Sequence, residues 1–338
     1  MSKDGMSTSS KEPASYPSAD GRTTVRATIW HPENRADAPR GIVQIVHGMS
    51  EYVDRYDDFA RYLTDCGFVV CGNDHVGHGR SVSDFKPSKK QLKSFANPGG
   101  SSEWGHVDLG GGHDVLVEDA IALMDMMRTR YPGVPYFLFG HSMGSFVARC
   151  VMGRRGEDLA GVIACGTGYT PPTLSMSGAA MARAAAKLRG PKHHSKTLRG
   201  LADGAYSKAV KNARTDFDWL NTDPDEVDRY IADPACGFPF TAAGYVALMG
   251  LTGESCDPSK AANVPSALPV LLVSGDEDPV GDNGDGVRQV AELLEEAGVR
   301  DVAVNLYPGM RHEILKEPGH MEVYDDIRYL IEAISERL

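Results

Sequence analysis

Seven short, almost uninterrupted apolar runs limit what this chain can fold into: "TTVRATIW" (23–30), "GIVQIVHG" (41–48), "FVVCGND" (68–74), "YFLFG" (136–140), "GVIACGT" (161–167), "PVLLVSGD" (269–276) and "VAVNLYPG" (302–309). Runs this short are strands rather than helices, and their lack of polar alternation means that both faces are covered. The segments between several of them repeat with helical period. In "YDDFARYLTDCG", Phe59, Tyr62, Leu63 and Cys66 share a face, and Gly67 supplies the stop. Val117, Ile121, Met124 and Tyr131 form a second stripe, ended by Pro132-Gly133. Val287, Val290, Leu293 and Leu294 form a third, and Val323, Ile327, Leu330, Ile331 and Ile334 a fourth. Strands buried on both faces, alternating with amphipathic helices, predict an α/β protein with a mostly parallel sheet between helical layers.

The alternation stops over residues 169–261. "MSGAAMARAAAKLRG" has helical composition, and no strand-like run occurs in the interval. Charge is segregated there: residues 183–214 carry nine Lys or Arg against Asp203, and residues 216–233 carry seven Asp or Glu against Arg229. Two readings stand: a solvated helical insertion with outward charges, or a cap whose basic half faces an anionic or zwitterionic group or a lipid surface. The expected organisation is a mobile polar tail over 1–13, core over 14–168, helical cap over 169–261, and core again over 262–338. The irregular stretch 79–112 is too long for a passive connection.

A net charge of −11 argues against nucleic-acid binding, which needs clustered Lys and Arg. No stretch approaches 18 consecutive apolar residues, so no membrane-spanning helix is expected. The first residues lack the apolar segment of a secretory signal, and the six cysteines include no Cys-x-x-Cys pair. Reduced cysteines and a cytoplasmic location follow as expectations. His75 and His78 form His-x-x-His on a loop without a third ligand nearby, so neither a metal nor a cofactor is expected.

The chemistry is concentrated in "FLFGHSMGSF" (137–146), where Ser142 stands between Gly140 and Gly144, after a strand and before a helical segment. Glycines weaken regular structure, so their presence here marks a sharp turn with no room for a Cβ. Such a turn lifts a serine hydroxyl out of the sheet, but the hydroxyl needs a base, itself oriented by a carboxylate. On this kind of sheet the acid and then the histidine follow on turns after later strands. "PVLLVSGDEDPVG" ends in a carboxylate cluster and "VAVNLYPGMRHEIL" leads to His312, the expected base. Asp278, three residues after Gly275, is the expected acid, with Asp276 as the alternative; Glu277, Asp282 and Asp285 read as solvated loop charges. The oxyanion of the tetrahedral intermediate needs backbone N–H donors. Met143, at the start of the helix, is one candidate, and Met49, after "HG" in "GIVQIVHGMSEY", is the other.

With these residues in place, "HGMSEYVDRYDDFARYL", "DHVGHGRS", "YPGVPYFLFGHSMG" and "MRHEIL" resemble the monoacylglycerol lipase and lysophospholipase-like, or serine-aminopeptidase-like, branch of the α/β-hydrolases. The resemblance covers about residues 22–170 and 262–338. It implies a serine esterase with Ser142, Asp278 and His312 as triad and Met49 and Met143 as oxyanion donors. It also implies a cap after the sixth strand, where 169–261 falls, setting acyl and head-group preference. Ser145 replaces the glycine often found after "HSMG", and the 79–112 loop is longer than typical, with Trp104 a candidate contact at the pocket entrance. The expected substrates are monoacylglycerols or lysophospholipids, small lipid-derived esters, with transient membrane contact through the cap. Met176, Met181, Phe217, Trp219, Phe238 and Phe240 are candidate pocket lining, equally readable as cap packing. The alternatives are a small-ester, aryl-ester or amide hydrolase on the same triad, and a non-catalytic binding module that kept the fold.

Overall fold

A computed structural model describes residues 10–34, 38–202 and 204–337. Eight strands form one sheet: β1 (Ser10–Pro17), β2 (Thr24–His31), β3 (Ile42–Val46), β4 (Val69–Asn73), β5 (Tyr136–His141), β6 (Gly161–Cys165), β7 (Val270–Gly275) and β8 (Val302–Tyr307), in the order 1-2-4-3-5-6-7-8. From β4 to β8 neighbouring strands are parallel, while β2 runs antiparallel to β4 and β1 antiparallel to β2. All seven apolar runs are strands.

The eighth strand, β1, corrects the expected tail. It begins at Ser10, inside the segment 1–13 assigned as mobile; residues 1–9 lie outside the described residues. Its sequence, SKEPASYP, carries two prolines, and no residue of it is fully buried. Both properties belong to an edge strand, which has a free side where a missing N–H does no harm. Apolarity therefore could not reveal it.

Successive side chains of the central strands feed two separate cores, as a period of two requires. Val43, Ile45, Phe137, Phe139 and Ile163 face one layer, where they meet Phe59 and Leu63 of α1 (Asp57–Asp65) and Ile327 and Ile331 of α12 (His320–Ser335). Ile42, Val46, Leu138, Val162 and Leu272 face the other, against α3 (Asp114–Arg130), α4 (Met143–Arg155) and α11 (Asp285–Glu296). All four predicted helical stripes point into these cores. Gln44 is buried among them because its amide donates to Ala120 O (2.9 Å) and accepts from Tyr136 Oη (2.6 Å).

Between β6 and β7 the described residues form helices and no strand: α5 (Pro172–Arg189), α6 (Lys196–Ala202), α7 (Gly204–Ala209), α8 (Pro224–Ala232), α9 (Ala242–Ser255) and α10 (Pro258–Ala261). The apolar α9, capped by Thr241, packs on both α5 and α4 and so seats the insertion on the core. The 79–112 stretch holds one short helix, α2 (Lys89–Ser94), stopped at its N-terminus by a Ser88/Gln91 capping box. Trp104 is buried rather than set at an entrance: its indole donates to Gly79 O (3.1 Å) and stacks on Phe238 with centroids 5.6 Å apart.

His75 and His78 are likewise structural. With His47 they form a fully buried cluster, ring centroids 4.3 to 5.9 Å apart. Burial, followed by the neighbouring ring, pushes each down to about 3, so all three fold neutral. In the unfolded chain they titrate near 6.5. Their contribution is therefore complete above that pH and is lost as pH falls from 6.5 towards 3, at roughly 1 kcal/mol per ring per pH unit. The urea midpoint is expected to drop clearly between pH 7.5 and 5.5; an unchanged midpoint would mean that the rings are solvated.

Candidate active site

Strand β5 leads straight into Ser142, which takes φ 54° and ψ −122° before α4 begins at Met143. A left-handed serine costs about 1–3 kcal/mol and needs local support. Ser142 N–H donates to Cys165 O (2.9 Å), and Ser142 O accepts from Ser145 N–H (2.8 Å) and Ser145 Oγ–H (2.6 Å). Ser145 thus braces the turn with two bonds where a glycine would give one. The flanking glycines have steric reasons: a Cβ at Gly144 would collide with Val46 O, and one at Gly140 with Gly144 O.

The turns after β7 and β8 bring the next two predicted residues together. His312 Nδ1–H donates to Asp278 Oδ2 at 2.9 Å, both side chains being almost fully buried. The Asp278 carboxylate also accepts from Ser274 Oγ–H (3.0 Å) and Val280 N–H (2.9 Å), which fix its orientation. Asp276 is exposed and accepts from Gly309 N–H (2.7 Å) instead. Of the two candidate acids, Asp278 is the one joined to the histidine. A Cβ at Gly166 (φ 58°) would approach His312 Cε1 to 3.0 Å, so that glycine makes room for the ring. His141, next to Ser142 in the chain, has its ring centroid 4.7 Å from that of His312.

The loop after β3 comes within contact of the turn: a Cβ on Gly48 would lie 3.1 Å from Ser142 Cβ. Gly48 N–H is already committed to Glu51 Oε1 (2.6 Å), whereas the N–H groups of Met49 and Met143 have no partner among the described residues. Two free N–H groups, one on the loop after β3 and one at the start of α4 beside Ser142, are what an oxyanion needs.

Sequence reasoning missed the ionic group beneath this arrangement. Arg55 pairs with both Glu51 and Glu313 (2.6 Å each), the two carboxylates buried and the guanidinium nearly so. Tyr56 Oη–H donates to Glu51 (2.7 Å) and lies 2.9 Å from His141 Nδ1, and His141 Nε2–H donates to His312 O (3.2 Å). Burial alone would lower His141, but the bond to Glu51 and its charge hold it above the ordinary value. Burial would raise Glu51, but Arg55 and then His141 keep it well below the carboxylate range. The signal was present in "SEYVDRY" and "RHEIL", as charges placed directly beside motif residues. With Phe59, Leu315 and Tyr324 these groups line a recess of about 80 Å³ that none of Ser142, Asp278 and His312 reaches, the volume of two or three waters.

Of the predicted lining residues, Trp219 alone is placed against the three: its ring sits 5.1 Å from His312. Phe238 and Phe240 flank His78, and Phe217 packs on Tyr230 within the insertion. Met176 and Met181 are 71% and 46% exposed on α5. One group of possible metal ligands occurs among the described residues, His113, Asp114 and Glu254. Arg154 already supplies the positive charge there, 2.5 Å from Asp114 and 2.8 Å from Glu254.

A serine at the tip of β5, on a sheet of this order with the acid and histidine on later turns, defines an α/β-hydrolase. The chain belongs to the serine aminopeptidase S33 family, whose model matches residues 37–319, and it is a serine hydrolase. It is 29% identical to a monoacylglycerol lipase of Mycolicibacterium smegmatis, over 88% of this chain and 89% of that one. It is 26% identical to the human monoglyceride lipase, over 85% and 79%. Among solved structures, a highly thermostable carboxyl esterase from Bacillus coagulans in complex with glycerol superposes with a TM-score of 0.84 at 31% identity, covering 96% of this chain and 99% of that one.

Proposed function

We propose that the protein hydrolyses monoacylglycerols through an acyl-enzyme. Ser142 Oγ attacks the ester carbonyl, and His312 takes its proton and returns it to the departing glycerol. Asp278 orients the imidazole and stabilises its charge. Met49 and Met143 N–H groups hold the oxyanion, and water, activated by His312, then releases the fatty acid. The observation that carries this reading is the buried Asp278–His312 hydrogen bond at the turn bearing Ser142. Two of the relatives are lipases of monoacylglycerols by name, which supports this choice of ester.

In this reading the helices of residues 169–261 form the cap, with Trp219 covering His312. Leu174, Met181 and Leu188 recur every seven residues on the exposed flank of α5, a stripe that continues into the basic half of the insertion. That surface is proposed to meet anionic lipid, from which substrate enters. No helix among the described residues is long and apolar enough to cross a membrane. All six cysteines are unpaired, which supports a cytoplasmic enzyme.

The test is a chain-length series of monoacylglycerols beside lysophosphatidylcholine and p-nitrophenyl esters, in micelles and in vesicles. Medium or long monoacylglycerols are expected to give kcat/KM at least tenfold above the other substrates, and faster on phosphatidylglycerol than on phosphatidylcholine vesicles. Turnover of short or aryl esters alone would make this a small-ester hydrolase, and equal rates on both vesicles would remove the surface contact.

A further inference from the structure

The loop bearing Met49 is held from the insertion rather than from the core alone. Ser50, the residue after Met49, is a buried non-glycine residue at φ 55°. That conformation is costly for serine and needs compensation. The compensation comes from residues 230–238: Ser50 Oγ–H donates to Phe238 O (2.7 Å), while Ser50 O accepts from Gly237 N–H (2.9 Å) and Tyr230 Oη–H (3.1 Å). Two residues on, Tyr52 Oη–H donates to Asp233 Oδ2 (2.7 Å). Gly237 itself takes φ 66° to make this approach. On the core side the same loop is fixed through Glu51, which accepts from Gly48 N–H and is itself held by Arg55 and Tyr56. Met49 thus sits between two clamps, with its own N–H left free.

We infer that Ser50 is a positioning residue for acyl transfer: it latches the Met49 loop to residues 237–238, so that the second half of the insertion sets the geometry of the oxyanion site. This deepens the proposed hydrolysis and rests on Met49 N–H being an oxyanion donor. An oxyanion donor is worth about 10²–10³ in kcat, and only when it points at the developing charge. A loop released on one side keeps the donor but loses its aim.

Ser50→Ala removes the hydroxyl and keeps the backbone cost; Ser50→Gly removes both. Each is expected to lower kcat roughly tenfold on a short p-nitrophenyl ester, with KM within twofold. The inhibition constant of a trifluoromethyl ketone, whose hemiketal with Ser142 carries the same oxyanion, should rise by the same factor. The thermal midpoint of Ser50→Gly should stay at or above that of Ser50→Ala, because glycine adopts this φ freely. Tyr230→Phe should give a smaller loss of the same pattern. An unchanged kcat, a loss confined to KM, or a loss that follows the midpoint with ketone affinity intact would each overturn the inference. The underlying reading fails separately: a fluorophosphonate that labels the protein equally with and without Ser142 would remove the acyl-enzyme, whatever Ser50 does.

Discussion

Ser142→Ala is expected to lower kcat by about 10⁶-fold while the thermal midpoint stays within a degree or two. Two structural facts separate the effect on chemistry from the effect on folding. The support of the turn runs through the backbone of residue 142, whose N–H and C=O are held by Cys165 and Ser145, and alanine keeps both. The hydroxyl itself has no hydrogen-bond partner among the described residues, so its loss leaves no buried group unsatisfied. The check is burst-phase and steady-state hydrolysis of a p-nitrophenyl ester beside a melting curve. Retained turnover in a folded variant would move the nucleophile elsewhere.

The second large effect separates two neighbouring carboxylates. Asp278→Asn is expected to cost about 10⁴ in kcat, because an amide lets the imidazole settle in the wrong tautomer and cannot balance its positive charge. It also leaves fewer acceptors for the three donors that converge on Asp278 from His312, Ser274 and Val280, so some loss of stability should accompany it. Asp276→Asn should change kcat less than twofold. Asp276 is exposed, and its one bond, from Gly309 N–H, can be accepted by the asparagine carbonyl. Kinetics of both variants on one substrate decide the matter, and equal losses would undo the assignment to Asp278.

The parts of the molecule legible in the sequence share a physical character. Strands buried on both faces, β3 to β7, declare themselves by unbroken apolarity, and β2 and the partly buried edge strand β8 were found by similar apolar runs. The turn at Ser142 was legible because two glycines are needed where Cβ atoms would strike Val46 O and Gly144 O. Asp278 was legible through its offset from the strand end. What stayed hidden depends on partners distant in sequence. Edge strand β1 is defined by its pairing with β2, not by its own composition. Nothing in the sequence beside Arg55 names its partner, and only the fold brings Glu313 to it across 258 residues. The pocket candidates are unevenly placed for a related reason: an apolar side chain in an inserted segment carries no mark of which way it faces. Trp219 reaches His312, while Met176 meets solvent.

Around the turns bearing Ser50 and His312, several of the insertion's holds on the core run through its main chain. Leu220 O accepts from Glu313 N–H, Asp218 O and Asn221 O accept from Arg311, and Phe238 O and Gly237 N–H hold Ser50. Main-chain groups are present whatever side chain a codon specifies, so most substitutions along this segment keep these attachments. Mutational drift can therefore remodel the surface that meets the substrate while the reacting groups stay aligned. A chain built this way can acquire new substrates by small steps, without passing through inactive ancestors.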